Sequence, residues 1–292
     1  MFGRTIVRQT PEGMAKEVAR IIQKKIIENN DKGIPTVLGL ATGSTPIPVY
    51  KELIRMHQEE GLDFSSVVTF NLDEYWGLEK THAQSYHYYM HQYFFNHVNI
   101  RKENIHILEG MIPFKEIKEH VAQFEEEIKK AGGIDIQILG LGVNGHIGFN
   151  EPGSKFDSQT RFIELDDKTR EANKRFFETK DEVPTHALTM GIGTIMQSKE
   201  CILLASGATK ADIIFDMYSS SSADERIPAT ALYHHYKVTI ILDEQAASKL
   251  PLEMKKVKSP LVSRSIYAPS TSAEPNFAPD IHKPNYFMVN YK

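Results

Sequence analysis

Residues 36–46 read TVLGLATGSTP, and their pattern sets the class of the fold. TVLGLA (36–41) is apolar at nearly every position instead of at alternate ones, so it suits a strand covered on both faces. A turn of small and hydroxylated residues follows, and Pro46 then opens a helix that runs through Leu53 and Met56. The same unit recurs outward along the chain. VVTFNL (67–72), IDIQILGLG (134–142), FIEL (162–165), HALTM (186–190), CILLAS (201–206) and VTIILD (238–243) read as strands. Upstream, Thr10 is placed as an N-cap with Pro11 at the first helical position, and Met14, Val18, Ile22 and Ile26 recur every four residues. Further helices are expected over 85–95, 115–131, 167–177, 209–218 and 243–249. Short doubly apolar strands alternating with helices predict an α/β fold: a doubly wound, mostly parallel, Rossmann-like sheet with helices on both faces.

The 292 residues carry 34 Lys and Arg against 38 Asp and Glu, a formal net charge of −4. Without a basic excess, the chain is not expected to bind nucleic acid. One cysteine, Cys201, excludes a disulfide framework or a multi-thiolate metal site. No apolar run approaches the roughly 18 residues of a membrane span. MFGRTIVRQTPEG at the start has no secretory-type apolar stretch, so a cytoplasmic location is expected. Six of the 14 prolines fall after residue 250. Residues 1–250 are therefore read as a single α/β catalytic domain. Residues 251–292 are read as a Pro/Ser-rich C-terminal extension, with Ile266, Tyr267, Phe277 and Phe287 as possible anchors.

Open α/β sheets bind ligands outside the carboxyl ends of their strands. There the sequence places Thr42-Gly43-Ser44-Thr45-Pro46, Asp73-Glu74-Tyr75, Val143-Asn144-Gly145-His146 with Asn150-Glu151-Pro152-Gly153, and Gly207-Ala208-Thr209-Lys210. Four loops bring a hydroxyl-rich turn, a carboxylate, a histidine with a second carboxylate, and a lysine to one edge. Free N–H groups at a helix start suit a phosphate, although Ser44 or Thr45 could equally be a plain helix cap. Asp73 past an apolar strand could take a proton from carbon beside a carbonyl once desolvation makes it more basic, or could simply cap the next loop. His146 could be an ordinary turn residue, and its pairing with Glu151 needs the loop to fold back. Lys210 and Arg175 could be solvated helix charges or phosphate ligands.

Two patterns are set aside. GLGVNG (140–145) fits the dinucleotide fingerprint after a strand, but HIGFNEPG cannot open the helix that fingerprint requires. His87 and His91 share a helix face, yet no third ligand accompanies them, which favours aromatic packing.

GLATGSTP (39–46), VTFNLDEYWGL (68–78), SYHYYM (85–90) and GLGVNGHIGFNEPG (140–153) resemble the glucosamine-6-phosphate deaminase (isomerase) family, as do TRFIELDDKTREANKRFF (160–177), VPTHALTMGIGTIM (183–196) and ASGATKA (205–211). The resemblance spans roughly residues 35–245. It implies an enzyme of amino-sugar catabolism that converts glucosamine 6-phosphate and water to fructose 6-phosphate and ammonia, without metal or organic cofactor. On the matching positions, His146 would help open the pyranose ring, Asp73 would take the C2 proton, and Glu151 would orient His146. Ser44, Arg175 and Lys210 would hold the phosphate, with Gly43 and Thr45 shaping the turn. Segment 161–185 is similar to the family's mobile lid, which would bring Arg175 to the site on closure. The resemblance also implies a homo-oligomer, with a hexamer favoured.

Asn144 stands where many members have aspartate, which offers His146 a neutral hydrogen bond and alters the expected pH profile. Relatives activated by N-acetylglucosamine 6-phosphate carry a second basic site. Its segment here reads Arg161-Phe162-Ile163-Glu164, so weak or absent activation is expected. Two other readings compete: a 6-phosphogluconolactonase-like hydrolase, and a non-catalytic sugar-phosphate sensor. The first is disfavoured because both FNLDEY and GHIGFNEP match the deaminases. The second would have predicted loss of Asp73, His146 or Glu151, all of which are present.

Overall fold

The computed structural model describes residues 3–254, so the extension expected from residue 251 lies almost wholly outside the described residues. Seven parallel strands form the main sheet: β1 (Arg4–Arg8), β2 (Thr36–Leu40), β3 (Val67–Asn71), β5 (Ile105–His106), β6 (Ile136–Gly140), β9 (Cys201–Ala205) and β10 (Val238–Asp243). Their spatial order is β1-β10-β9-β6-β2-β3-β5. The chain winds from β2 towards β5, then returns to lay β6 against the other side of β2. That reversal opens a crevice between the carboxyl ends of β2 and β6, the place where open α/β sheets hold ligands. The four strands whose ends carry the polar loops are adjacent in the order β9-β6-β2-β3. The doubly wound class is as the sequence predicted.

Helices α1 (Pro11–Asn30), α2 (Ile47–Glu60), α4 (Ile117–Lys130) and α7 (Ala211–Ser219) cover the sheet. Thr10 caps α1, its side chain accepting from Gly13 N at 3.1 Å, and Met14, Val18, Ile22 and Ile26 are all fully buried. Every residue of β2, β9 and β10 is buried, as a strand between two helical layers requires.

Several boundaries and pairings differ from the sequence reading. The FIEL and HALTM strands do not join the parallel sheet. They form β7 (Arg161–Glu164) and β8 (His186–Thr189), which pair antiparallel with each other, and β8 pairs with the short β4 (Asp73–Tyr75). Asp73 is the first residue of β4, paired with Thr189 and two residues past the end of β3, so it stands where the chain passes from the main sheet to the small one. The edge strands β1 and β5 were missed: RTIVR carries an arginine at each end, and β5 has only two residues. The helix expected over 167–177 stops at Asn173 as α5 (Asp167–Asn173), and a 3₁₀ turn carries Lys174–Phe176. The stretch after Asp243 forms turns instead of a helix: Ala247 N donates to Asp243 O, but the bonds that follow close over three residues, Ser248 N to Gln245 O and Leu250 N to Ala247 O.

Candidate functional site

The turn after β2 is held from the side by α3 (Tyr86–Tyr93). Tyr89 hydroxyl donates to Gly43 O at 2.6 Å, and Tyr86 bonds to Thr42. Gly43 has φ 91, a left-handed conformation that side chains resist. The helix cap is Pro46 and has no side-chain bond, which corrects the Ser44 or Thr45 cap reading. Ser44 is exposed and its hydroxyl is not used by the fold. Pro46 and Pro48 carry no N–H, so Ile47 and Val49 supply the free donors at the start of α2, with the unused Ser44 hydroxyl just before them, and the positive end of the helix there suits an anion.

Asp73 is only 6% exposed, and its carboxylate meets no protein donor among the described residues. Burial, reinforced by the neighbouring Glu74, pushes its carboxyl up to about 8. Glu74 has a different task. Its oxygens accept the N–H groups of Tyr75, Tyr86 and His87, each at 2.8 Å, so it caps α3 and ties that helix to β4. The two adjacent carboxyls thus have opposite environments: one is bonded into the scaffold and the other is left bare.

The GHIGFNEPG loop after β6 folds back on itself. His146 Nδ1 lies 3.4 Å from Glu151 Oε1, and Asn144 Nδ2 donates to Glu151 Oε2 at 2.7 Å. Thr169 hydroxyl donates to Oε1. Burial raises the Glu151 carboxyl, but His146 beside it and the bonds from Thr169 and Asn144 outweigh burial and hold the group below its ordinary value. Gly142 lies under the imidazole, where a Cβ would run into the ring. Gly148 of the same loop abuts the Asp73 carboxylate, since a Cβ on it would sit 3.5 Å from Oδ2. Asn150, fully buried, donates to Ile147 O and Met190 O, and its Oδ1 accepts from Arg161 Nη1 at 2.7 Å.

Lys210 follows β9 and is half-buried. Burial and the charge of Arg175 both pull its ammonium below the ordinary value. Among the described residues neither cation has a carboxylate partner, and Arg175 stacks on Phe176 at 4.6 Å. Two unpaired positive groups facing each other call for an anion between them.

The structure brings Asn144, His146 and Glu151 together, sets Asp73 against their loop through Gly148, and puts Arg175 within electrostatic reach of Lys210, while Gly43, Ser44 and Thr45 follow the neighbouring strand β2. The sequence reading missed Asp243, Thr169 and Glu74's capping role. Asp243 accepts Ser206 Oγ at 2.6 Å and Gly207 N at 2.9 Å, fixing the loop that presents Lys210. It is the last residue of VTIILD, so extending the strand-end survey to that strand would have found it. Thr169 carries no sequence signal, because its partner lies 18 residues away. Of the patterns set aside, GLGVNG leads into turns instead of a helix, and the His87 and His91 rings lie 4.6 Å apart at a 37° tilt, with His91 edge-on to Phe95. No group of three or more His, Cys, Asp or Glu among the described residues could hold a metal ion.

Fold and site together define an open α/β enzyme whose reactive groups converge at the carboxyl ends of parallel strands. Comparison with known proteins narrows this. The chain belongs to the family of glucosamine-6-phosphate isomerases/6-phosphogluconolactonase, whose model matches residues 9–241. A glucosamine-6-phosphate deaminase of Thermoanaerobacter sp. (strain X514) is 50% identical over 250 residues, covering 86% of this chain and 96% of the relative. One from Clostridium botulinum (strain Langeland) is 49% identical over 250 residues, covering 86% of this chain and all of the relative. Among solved structures, a glucosamine-6-phosphate deaminase described as monomeric superposes with TM-score 0.80 at 42% identity, covering 84% of this chain and 99% of its own. The 6-phosphogluconolactonase of Trypanosoma cruzi, at 19% identity and TM-score 0.67, covers 85% of this chain and 97% of its own and shares the fold.

Proposed function

We propose that the protein is a glucosamine-6-phosphate deaminase. The observation that carries the reading is the bare, buried Asp73 beside the His146 loop, a base of raised affinity for protons placed where a C–H bond can be presented to it. The 6-phosphate sits among Ser44, the α2 N-terminus, Lys210 and Arg175. His146, oriented by Glu151 and Asn144, moves a proton from the C1 hydroxyl to the ring oxygen, so the C1–O5 bond breaks and the C1 aldehyde forms. Asp73 takes the C2 proton, and the electron pair shifts towards C1 to give an enolamine. A proton returned to C1 leaves an imine at C2. Water adds to C2 and ammonia departs, giving the ketose. A positioned base of this kind contributes roughly 10²–10⁴-fold.

The reaction is a hydrolysis of a C–N bond coupled to isomerisation, which supports classing the protein as a hydrolase of amino-sugar metabolism. Segment 161–185 acts as a lid that brings Arg175 to the phosphate. The protein works in the cytoplasm as a homo-oligomer, with a hexamer the favoured form. Against that form, the relative of TM-score 0.80 is described as monomeric. Analytical ultracentrifugation decides between the two, and a single species at the 33.2 kDa chain mass would refute the oligomer. No helix of the described residues is long and apolar enough to cross a membrane. The activity is tested by offering glucosamine 6-phosphate and 6-phosphogluconolactone separately. Ammonia with fructose 6-phosphate from the first supports the reading, whereas lactone hydrolysis without ammonia release refutes it.

A further inference from the structure

Helix α5 touches the site at two points one helical turn apart. Thr169 hydroxyl donates to Glu151 Oε1, the oxygen that also faces His146 Nδ1 at 3.4 Å. Four residues on, Asn173 Nδ2 donates to the Tyr75 hydroxyl at 2.9 Å. The 3₁₀ turn that follows carries Arg175, whose charge acts on Lys210. One short segment therefore spans from the cation pair to the His146–Glu151 pair. Thr169 is 5% exposed, so water cannot replace its hydroxyl while α5 is docked. It is the one hydrogen-bond donor to that oxygen among the described residues, since His146 Nδ1 at 3.4 Å lies outside hydrogen-bond geometry.

We propose that Thr169 is a positioning residue that fixes the His146–Glu151 acid–base pair. The inference rests on the deaminase reading above. Docking lays the Thr169 hydroxyl on Glu151 Oε1 while Asn144 holds Oε2. The carboxylate is then pinned from both sides, and the imidazole that it orients is fixed for ring opening. Without the Thr169 hydroxyl, Asn144 on Oε2 is the one hydrogen bond left to the Glu151 carboxylate among the described residues. Thr169 thus acts on the step that His146 performs and not on proton removal by Asp73.

The test compares wild type, Thr169→Val and Thr169→Ser for ammonia release from glucosamine 6-phosphate and from its C2-deuterated form. Valine keeps the shape and removes the hydroxyl, and serine restores it. Thr169→Ala repeats the deletion should valine disturb packing. The expected result is a kcat loss of roughly tenfold in the hydroxyl-free variants, the order of one hydrogen bond to a charged group, with KM changed by less than about twofold. Serine is expected within about threefold of wild type, and the deuterium effect should be no larger in Thr169→Val than in wild type, because the slowed step precedes C2 proton removal. An active wild type with an equally active Thr169→Val overturns the latch alone. So does a deuterium effect that rises as kcat falls, or a serine variant as slow as valine. A wild type that releases no ammonia overturns the deaminase reading and the latch with it.

Discussion

Replacing Asp73 by asparagine removes a carboxyl that the fold keeps bare and desolvated, so the same change that slows the reaction raises stability. An ordinary aspartate releases its proton at about 3.9 when unfolded, while the folded carboxyl is raised to about 8. Between these values the native state binds a proton that the unfolded state has lost. Stability of the wild type therefore falls as pH rises through this window and levels off above it. Each unit corresponds to about 1.4 kcal/mol, so at pH 7 the cost approaches ~4 kcal/mol as an upper bound. The asparagine amide must itself be desolvated, which takes back about 1–3 kcal/mol. The net gain expected at pH 7 is about 1–3 kcal/mol. Glu74 is present in both proteins, so to first order its own titration cancels. Urea denaturation of wild type and Asp73→Asn at pH about 5, 6, 7 and 8 gives the answer from the midpoints. The advantage of the variant should grow with each step and flatten above about pH 8. An advantage that is absent, or that is constant from pH 5 to 8, would refute the argument that Asp73 is held protonated by burial.

The other predictions follow from single contacts. In Gly142→Ala the added methyl runs into the His146 ring, and kcat should drop by roughly 10²-fold or more while the urea midpoint moves little. Asp243→Asn loosens the Ser206–Gly207 turn that presents Lys210, and KM for glucosamine 6-phosphate should rise roughly tenfold with a smaller change in kcat. Arg161 is engaged with Asn150 and Ser154, and Glu164 beside it is exposed, so N-acetylglucosamine 6-phosphate should leave the substrate saturation curve unchanged. A marked sharpening at submillimolar concentration would contradict this.

What the sequence revealed follows from which interactions are local. The doubly apolar runs TVLGLA and CILLAS announce strands buried on both faces, and the polar loops after them fall at one edge because all their strands are parallel. Asp73, His146 and Lys210 could be named on that ground alone. The roles of Thr169 and Glu74 could not, since each acts through a partner distant in the chain or through backbone N–H groups that no side-chain pattern encodes, whereas Asp243 closes VTIILD and needed only the same survey carried to that strand. The small antiparallel sheet was also hidden. The strands of HALTM and FIEL are as short as the parallel ones, and only their pairing with Asp73–Tyr75 separates them from the main sheet. At 243–249 the helix formers Glu, Gln and Ala suit a helix, yet the bonds that form after Ala247 close over three residues.

The central claim is that Asp73 removes a carbon-bound proton from an amino-sugar phosphate. Ammonia release from glucosamine 6-phosphate by purified wild type and Asp73→Asn at pH about 8 tests it most directly, because there about half or more of the wild-type carboxyl is ionised. The account predicts brisk release by the wild type and a loss of at least ~10²-fold in the variant. A variant within about threefold of wild type would contradict it, since an amide cannot accept that proton.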